Sequence, residues 1–230
     1  MKRAFWAGIV SLLALPLAVQ AGTIQVSFTG TIDFAHTFLR DAFPVGQAVA
    51  VTFQYDTLAP FDVPHHGQTS DFYVNHMSST SMSSGGYSAL DNTGLFGQMT
   101  VLNLANDEVR LRVANAANQY PTVQANAIAF PTVVSNGLTH TLVNMHVTLK
   151  APNSAVLATA ALPTTYSLSD YSSEHSIQFL FHSSSGDEAL SAGITGIQVA
   201  EIVSGVPEPG TAVLVAAGCL FGLARLRRAS

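Results

Sequence analysis

The side chains of this 230-residue chain that could do chemistry are its eight histidines and fourteen carboxylates. The densest grouping is Asp62-Val63-Pro64-His65-His66, with Asp71 and His76 downstream. Imidazole and carboxylate suit zinc or copper, and Pro64 would stiffen the loop that carries them. Nothing in the spacing fixes a coordination geometry, so a solvent-exposed polar loop is the plainer reading. No metal or cofactor is expected there. Asn106-Asp107-Glu108 and Asp187-Glu188 sit at strand junctions, where oxygen ligands could hold a structural calcium ion. A hairpin turn accounts for Asn106-Asp107 as well. A glycosidase would need two carboxylates about 5–10 Å apart across a cleft. Asp170 and Glu174 are among thirteen carboxylates between Gly22 and Ser204, and spacing selects none of them.

Other catalytic signatures are missing. There is no Gly-x-Ser-x-Gly elbow, phosphate loop or His-Glu-x-x-His. The single cysteine, Cys219, lies in a C-terminal apolar block, so residues 22–204 have neither a thiol nor a disulfide. His140, His146, His175 and His182 fall on or beside strand patterns, where a hydrogen-bonded structural role is the default. Tyr73, Tyr87, Tyr120, Tyr166 and Tyr171 could serve as sugar platforms if exposed, or as core if buried. No catalytic residue is singled out.

The elements that must position these groups are strands. Ile24, Val26, Phe28, Gly30, Ile32 and Phe34 share one face, and Gln25, Ser27, Thr29, Thr31 and Asp33 share the other. Period-two alternation recurs at Val49–Tyr55, Val109–Val113, Val143–Leu149, Ile177–Phe181 and Ile194–Val203. Weaker strands fit Ser70–His76, Gly94–Leu104 and Val123–Phe130. Turn clusters separate them at Pro60–Gly67, Asn92–Gly94, Asn106-Asp107, Asn136-Gly137 and Ser183–Asp187. Asn153–Leu162 reads as a short helix and Leu168–Ser172 as a helical turn. Ser78–Ser88 is a Ser/Gly-rich stretch that reads as an exposed loop or edge. Strands with one apolar and one polar face, joined by short turns, predict an all-β fold: an antiparallel two-sheet β-sandwich, jelly-roll-like, of about eight to ten strands.

Charge narrows the partners. Residues 22–204 hold four basic side chains, Arg40, Arg110, Arg112 and Lys150, against thirteen carboxylates, a net charge of −9. A phosphate-binding basic stripe is absent, so nucleic acid is not an expected partner.

The two ends differ in character from the middle. Lys2 and Arg3 precede the apolar stretch Ala4–Val19, and Val19-Gln20-Ala21 supplies a cleavage motif. Residues 1–21 therefore read as a signal peptide cleaved after Ala21. At the other end, Val206-Pro207-Glu208-Pro209-Gly210 precedes the apolar run Thr211–Ala224, followed by Arg225, Arg227 and Arg228. Fourteen residues fall short of the ~20 that span a bilayer. The arginines would hold that end on the cytoplasmic side. With the front exported, residues 22–204 form an ectodomain outside the cytoplasm, between an N-terminal signal helix and a short C-terminal transmembrane helix.

The order Pro-Glu-Pro, short apolar helix, terminal arginine cluster over Val206–Arg228 resembles the PEP-CTERM sorting signal. The resemblance covers about a tenth of the chain. It implies export by the general secretion machinery of a Gram-negative bacterium and transient retention in the inner membrane. It also implies cleavage near Pro-Glu-Pro by an exosortase, a membrane enzyme with a catalytic cysteine, and association with extracellular polysaccharide or biofilm. Residues 205–230 would be that sorting signal. The expectation is a non-enzymatic surface or matrix protein. The alternative is an extracellular carbohydrate-binding or polysaccharide-acting β-sandwich.

Overall fold

The alternating segments become long strands because each buries one row of apolar side chains and leaves a polar row outside. The computed structural model of the chain describes residues 22–57, 63–64, 70–74, 77–91, 97–103, 105–114, 130–157, 159 and 161–202. The strands are β1 (Thr23–Ala35), β2 (Ala48–Asp56), β3 (Val63–Pro64), β4 (Ser70–Val74), β5 (Met77–Ser84) and β6 (Tyr87–Asp91), then β7 (Gly97–Leu102), β8 (Glu108–Ala114), β9 (Thr132–Ser135), β10 (Leu138–Lys150), β11 (Glu174–Ser183) and β12 (Gly186–Ile202). Short 3-10 turns lie at Thr37–Leu39 and Leu168–Tyr171. The signal segment 1–21, the tail 203–230 and most of the expected strand Val123–Phe130 lie outside the described residues. No helix among the described residues is long and apolar enough to cross a membrane.

All twelve strands among the described residues join one antiparallel sheet rather than two. The order is β3-β4-β7-β8-β10-β11-β12-β1-β2-β5-β6, with β9 pairing the first part of β10. The sheet curls onto its own apolar face. β11 and β6 are five steps apart in that order, about 24 Å across a flat sheet. Yet the rings of Phe181 on β11 and Tyr87 on β6 lie 6.0 Å apart, with Phe43 5.2 Å from Phe181. A Cβ built on Gly97 of β7 would stand 2.5 Å from Met77 Cβ of β5, so these strands also meet face to face. Register shifts at Thr29/Gly30, Ile32/Phe34, Gln54/Tyr55 and Leu142/Asn144 mark bulges, which bend a sheet and tighten its twist. The expected two-sheet sandwich therefore gives way to a continuous sheet whose inner face forms a single core. Alternation locates strands but does not reveal which edges stay hydrogen-bonded to one another.

Two segments depart from their expected form. Ser78–Ser88 takes the edge form rather than the loop: it lies in the hairpin β5–β6 that ends the sheet order, with Gly85 at φ 56° in the turn, and Thr80, Met82, Ser84 and Tyr87 face inward. Small hydroxyl side chains hid its period-two pattern. Residues 153–157 are a loop rather than the start of a helix. The expected helical turn near Leu168 is present, as are the turns at Asn136-Gly137 (φ 50° and 75°, the pair a type I′ hairpin requires) and Ser184-Ser185.

Candidate functional site

The loop residues with metal-ligand chemistry come first. Asp62, His65, His66 and His76 lie outside the described residues. Asp71 lies in β4, paired in register with Pro64 on one side and Val101 on the other. Among the described residues no group of three or more His, Cys, Asp or Glu converges as a cation would require.

The two carboxylate pairs weighed for calcium are put to other uses. Asp107 is fully buried, and its Oδ2 accepts hydrogen bonds from the backbone amides of Val156 at 2.9 Å and Leu157 at 2.7 Å. Its backbone amide donates to the Asn153 carbonyl, and its carbonyl accepts from Ala151. The residue thus ties the 151–157 loop to the start of β8 and satisfies donors that the loop cannot pair itself. Its neighbour Glu108 pairs with Arg110, two residues along the same strand. Asp187 and Glu188 are adjacent on β12, so strand alternation sends them to opposite faces. Asp187 is exposed and accepts from His182 Nδ1 at 2.7 Å; Glu188 is sealed inside. Two carboxylates so placed do not converge on one ion.

Glu188 anchors the most developed polar cluster of the core. Its Oε1 accepts from Ser183 Oγ at 2.5 Å, and its Oε2 lies 3.3 Å from His140 Nδ1. His140 is fully buried, and its Nε2 faces the Ser135 carbonyl at 3.1 Å. A carbonyl only accepts, so Nε2 carries a hydrogen. The imidazole therefore meets the carboxylate through its other nitrogen, and one proton lies between Nδ1 and Oε2. Serine, histidine and glutamate are together here, but not in nucleophilic order. Ser183 bonds the glutamate rather than the histidine, and no group in the cluster reaches solvent. Its role is to hold the ends of the hairpins β9–β10 and β11–β12 to one another. The sequence pattern assigns His140 a structural part; its partner Glu188, 48 residues away, carries no local signal.

His175 and the described tyrosines follow the same trend. His175 Nδ1 bonds the Tyr171 carbonyl at 3.2 Å. Tyr87 and Tyr171 are buried, and the Tyr87 hydroxyl donates to the Pro131 carbonyl. Tyr55, also buried, donates to the Pro163 carbonyl at 2.6 Å, so the 2.9 Å contact with Tyr166 uses the Tyr166 hydrogen. Burial pushes the Tyr171 hydroxyl up to about 12, with Asp170 and Asp107 adding to it; burial pushes the Tyr55 and Tyr87 hydroxyls higher still. Tyr120 and the Tyr73 side chain lie outside the described residues. Asp170 and Glu174 are both exposed, each beside a serine hydroxyl rather than facing the other.

One face remains open. On the outer side of β8, β10, β11 and β12, cross-strand register aligns Arg112, His146, Gln178 and Ser191 in one row. Asn144, Leu180 and Ala189 form the neighbouring row. His146, Gln178 and Ser191 of the first row and all of the second line a shallow groove of about 400 Å³, and Arg112 lies just beyond it, hydrogen-bonded to Asn144. Burial holds the His146 imidazole below its ordinary value, with the Arg110 and Arg112 charges adding to that effect. Ser191 donates to Asp33 Oδ1 at 2.5 Å, which closes the far end. Sequence reading missed this constellation because it spans four strands. No family model, curated protein or solved structure matches the chain.

Proposed function

We propose that the chain is an exported, non-catalytic surface or extracellular-matrix protein. In this reading residues 1–21 are removed after Ala21, and residues 22–204 form the body outside the cytoplasm. An exosortase reads Val206, Pro207, Glu208 and Pro209, while Arg225, Arg227 and Arg228 hold the tail in the inner membrane until it is cut. Prolines 207 and 209 keep the segment extended, the form a cleaving enzyme can bind. One observation in the body supports the reading: its buried tyrosines, His140, Glu188 and Asp107 are spent on holding strands and loops together. The open face instead carries planar polar groups beside an apolar strip. That arrangement favours an alternative within the same setting, a protein that binds extracellular carbohydrate without acting on it.

The test is intact-mass measurement of protein released by native cells. The released form should end near Pro207–Pro209. Glu208→Ala should leave export intact and slow tail removal. Replacing the three arginines by serine should instead disturb retention. Released protein that still carries residues 211–230 would refute the sorting reading.

A further inference from the structure

We propose that the groove on the outer face of β8, β10, β11 and β12 binds a carboxylate-bearing sugar unit of an acidic polysaccharide. This rests on the reading of the chain as an exported protein that meets extracellular polymer, and it assigns the ligand class.

Charge placement is the first support. Of the four basic side chains in residues 22–204, Arg110, Arg112 and Lys150 all stand on the outer face of two neighbouring strands. Arg110 is engaged by Glu108, and Lys150 pairs in register with Glu108 and Glu174. Arg112 has no ion pair among the described residues; its Nε donates to Asn144 Oδ1 at 3.4 Å. Its guanidinium therefore stands beside Asn144 at one end of the groove, free of any ion pair among the described residues. A guanidinium recognises a carboxylate through two parallel hydrogen bonds.

The groove supplies the rest. A pyranose ring has an apolar C–H face and a rim of hydroxyls. Leu180 and Ala189 offer an apolar strip to the face. Asn144, His146, Gln178 and Ser191 offer amide, imidazole and hydroxyl groups to the rim. A volume of about 400 Å³ lies within the range of small-ligand sites. Asp33 at the Ser191 end repels an anion, so the carboxylate points to Arg112 and the hydroxyls toward Ser191.

The site also couples to pH. The charged groups around His146 are Arg110, Arg112 and Glu108 on β8, Lys150 on its own strand and Glu174 on β11. A carboxylate seated beside Arg112 offsets the positive field and favours the imidazolium. Binding then takes up a proton at His146, and affinity rises as pH falls.

The test is calorimetric titration of the purified full-length chain with hexagalacturonate, using a neutral galactose hexamer and inorganic tripolyphosphate as comparison probes. Hexagalacturonate should bind, more weakly at higher salt, with the neutral hexamer roughly tenfold weaker and tripolyphosphate no tighter. Arg112→Gln and Gln178→Glu should each weaken uronate binding by roughly tenfold or more. Gln25→Ala, on the outer face of β1, should leave it unchanged, and His146→Asn should flatten the pH dependence. Gln178 is exposed, so its variant carries the test if Arg112→Gln does not fold. Equal affinity for the neutral hexamer, tighter binding of tripolyphosphate, indifference to Gln178→Glu, or no binding up to about 10 mM would each overturn the proposal. Absent binding with a correctly processed tail overturns this site alone. A retained tail overturns the sorting reading and leaves the titration result standing.

Discussion

Removing the Glu188 carboxylate should show what the buried cluster contributes. Glu188→Ala deprives two enclosed donors of their acceptor: Ser183 Oγ at 2.5 Å and the His140 ring at 3.3 Å. His140 is fully buried and Glu188 is 1% exposed, so water does not replace the lost partner. Stranding two buried hydrogen-bonding groups at about 1–3 kcal/mol each costs about 3–5 kcal/mol together. At about 2–4 °C per kcal/mol for a body of this size, Tm should fall by roughly 6–20 °C. Glu188→Gln should behave differently. The carboxamide oxygen still accepts from Ser183, and its NH2 can donate to Nδ1 of a neutral imidazole whose Nε2 hydrogen stays on the Ser135 carbonyl. Every member then keeps a partner, and the cost should stay within about 1 kcal/mol. Urea unfolding followed by far-ultraviolet circular dichroism gives both numbers, with the slope checking that the unfolded state is unchanged. A loss below about 1 kcal/mol for Glu188→Ala, or equal losses for the two variants, would refute the shared-proton arrangement.

Three further outcomes follow from the packing. Gly30→Ala should destabilise the β1–β12 pairing by about 1–3 kcal/mol, because the new Cβ would stand 2.5 Å from the Gly193 carbonyl oxygen, a backbone atom that cannot swing away; unaltered urea stability would contradict the close approach. Asp107→Ala should cost about 2–3 kcal/mol and speed hydrogen exchange at the amides of Val156 and Leu157, which lose their acceptor; unchanged protection there would show the loop is held otherwise. Tyr171, pushed up to about 12, binds its proton more tightly folded than unfolded. Its contribution is therefore complete below pH ~10 and is lost as pH rises through about 12; phenolate absorbance appearing in full near pH 10, with the fold intact, would contradict its burial.

The legible part of the fold was the part written in alternation. β1, β2, β8, β10 and β11 were found by that pattern, though β10 begins earlier, at Leu138, and the bulge at Ile32/Phe34 turns Phe34 out of the face it was expected to share with Ile32, leaving it 48% exposed. β12 begins at Gly186, eight residues earlier than the apolar signal, because Leu190 is the one bulky residue between Ala189 and Gly193. β5 and β6 were illegible for the same reason: serine and threonine fill inward and outward positions alike. The 153–157 segment looked helical because alanine and leucine favour helix. The buried Asp107 carboxylate instead claims the Val156 and Leu157 amides, a tertiary contact outweighing a weak propensity.

The site illustrates a narrower rule. On a strand, adjacent residues point apart, so sequence neighbours such as Asp187 and Glu188 cannot act on one ligand. Asp187 ends in an exposed pair with His182, while Glu188 ends in the core with His140. Any constellation on this sheet must be assembled across strands, at a register that bulges have shifted. The row Arg112–His146–Gln178–Ser191 draws on four strands and spans 79 positions of sequence; no local motif marks it. Its elements are nonetheless constrained. Each is a polar residue flanked by buried apolar ones (Leu111 and Val113, Met145 and Val147, Ile177 and Phe179, Leu190 and Ala192), so alternation alone commits it to the outer face. What the sequence lacked was the partner order β8-β10-β11-β12, which brings the isolated guanidinium level with the imidazole and the amide. A charge that is unremarkable in the chain becomes distinctive only there, because the described carboxylates near that face are engaged elsewhere: Glu108 with Arg110, Glu174 with Ser176 and Asp33 with Ser191.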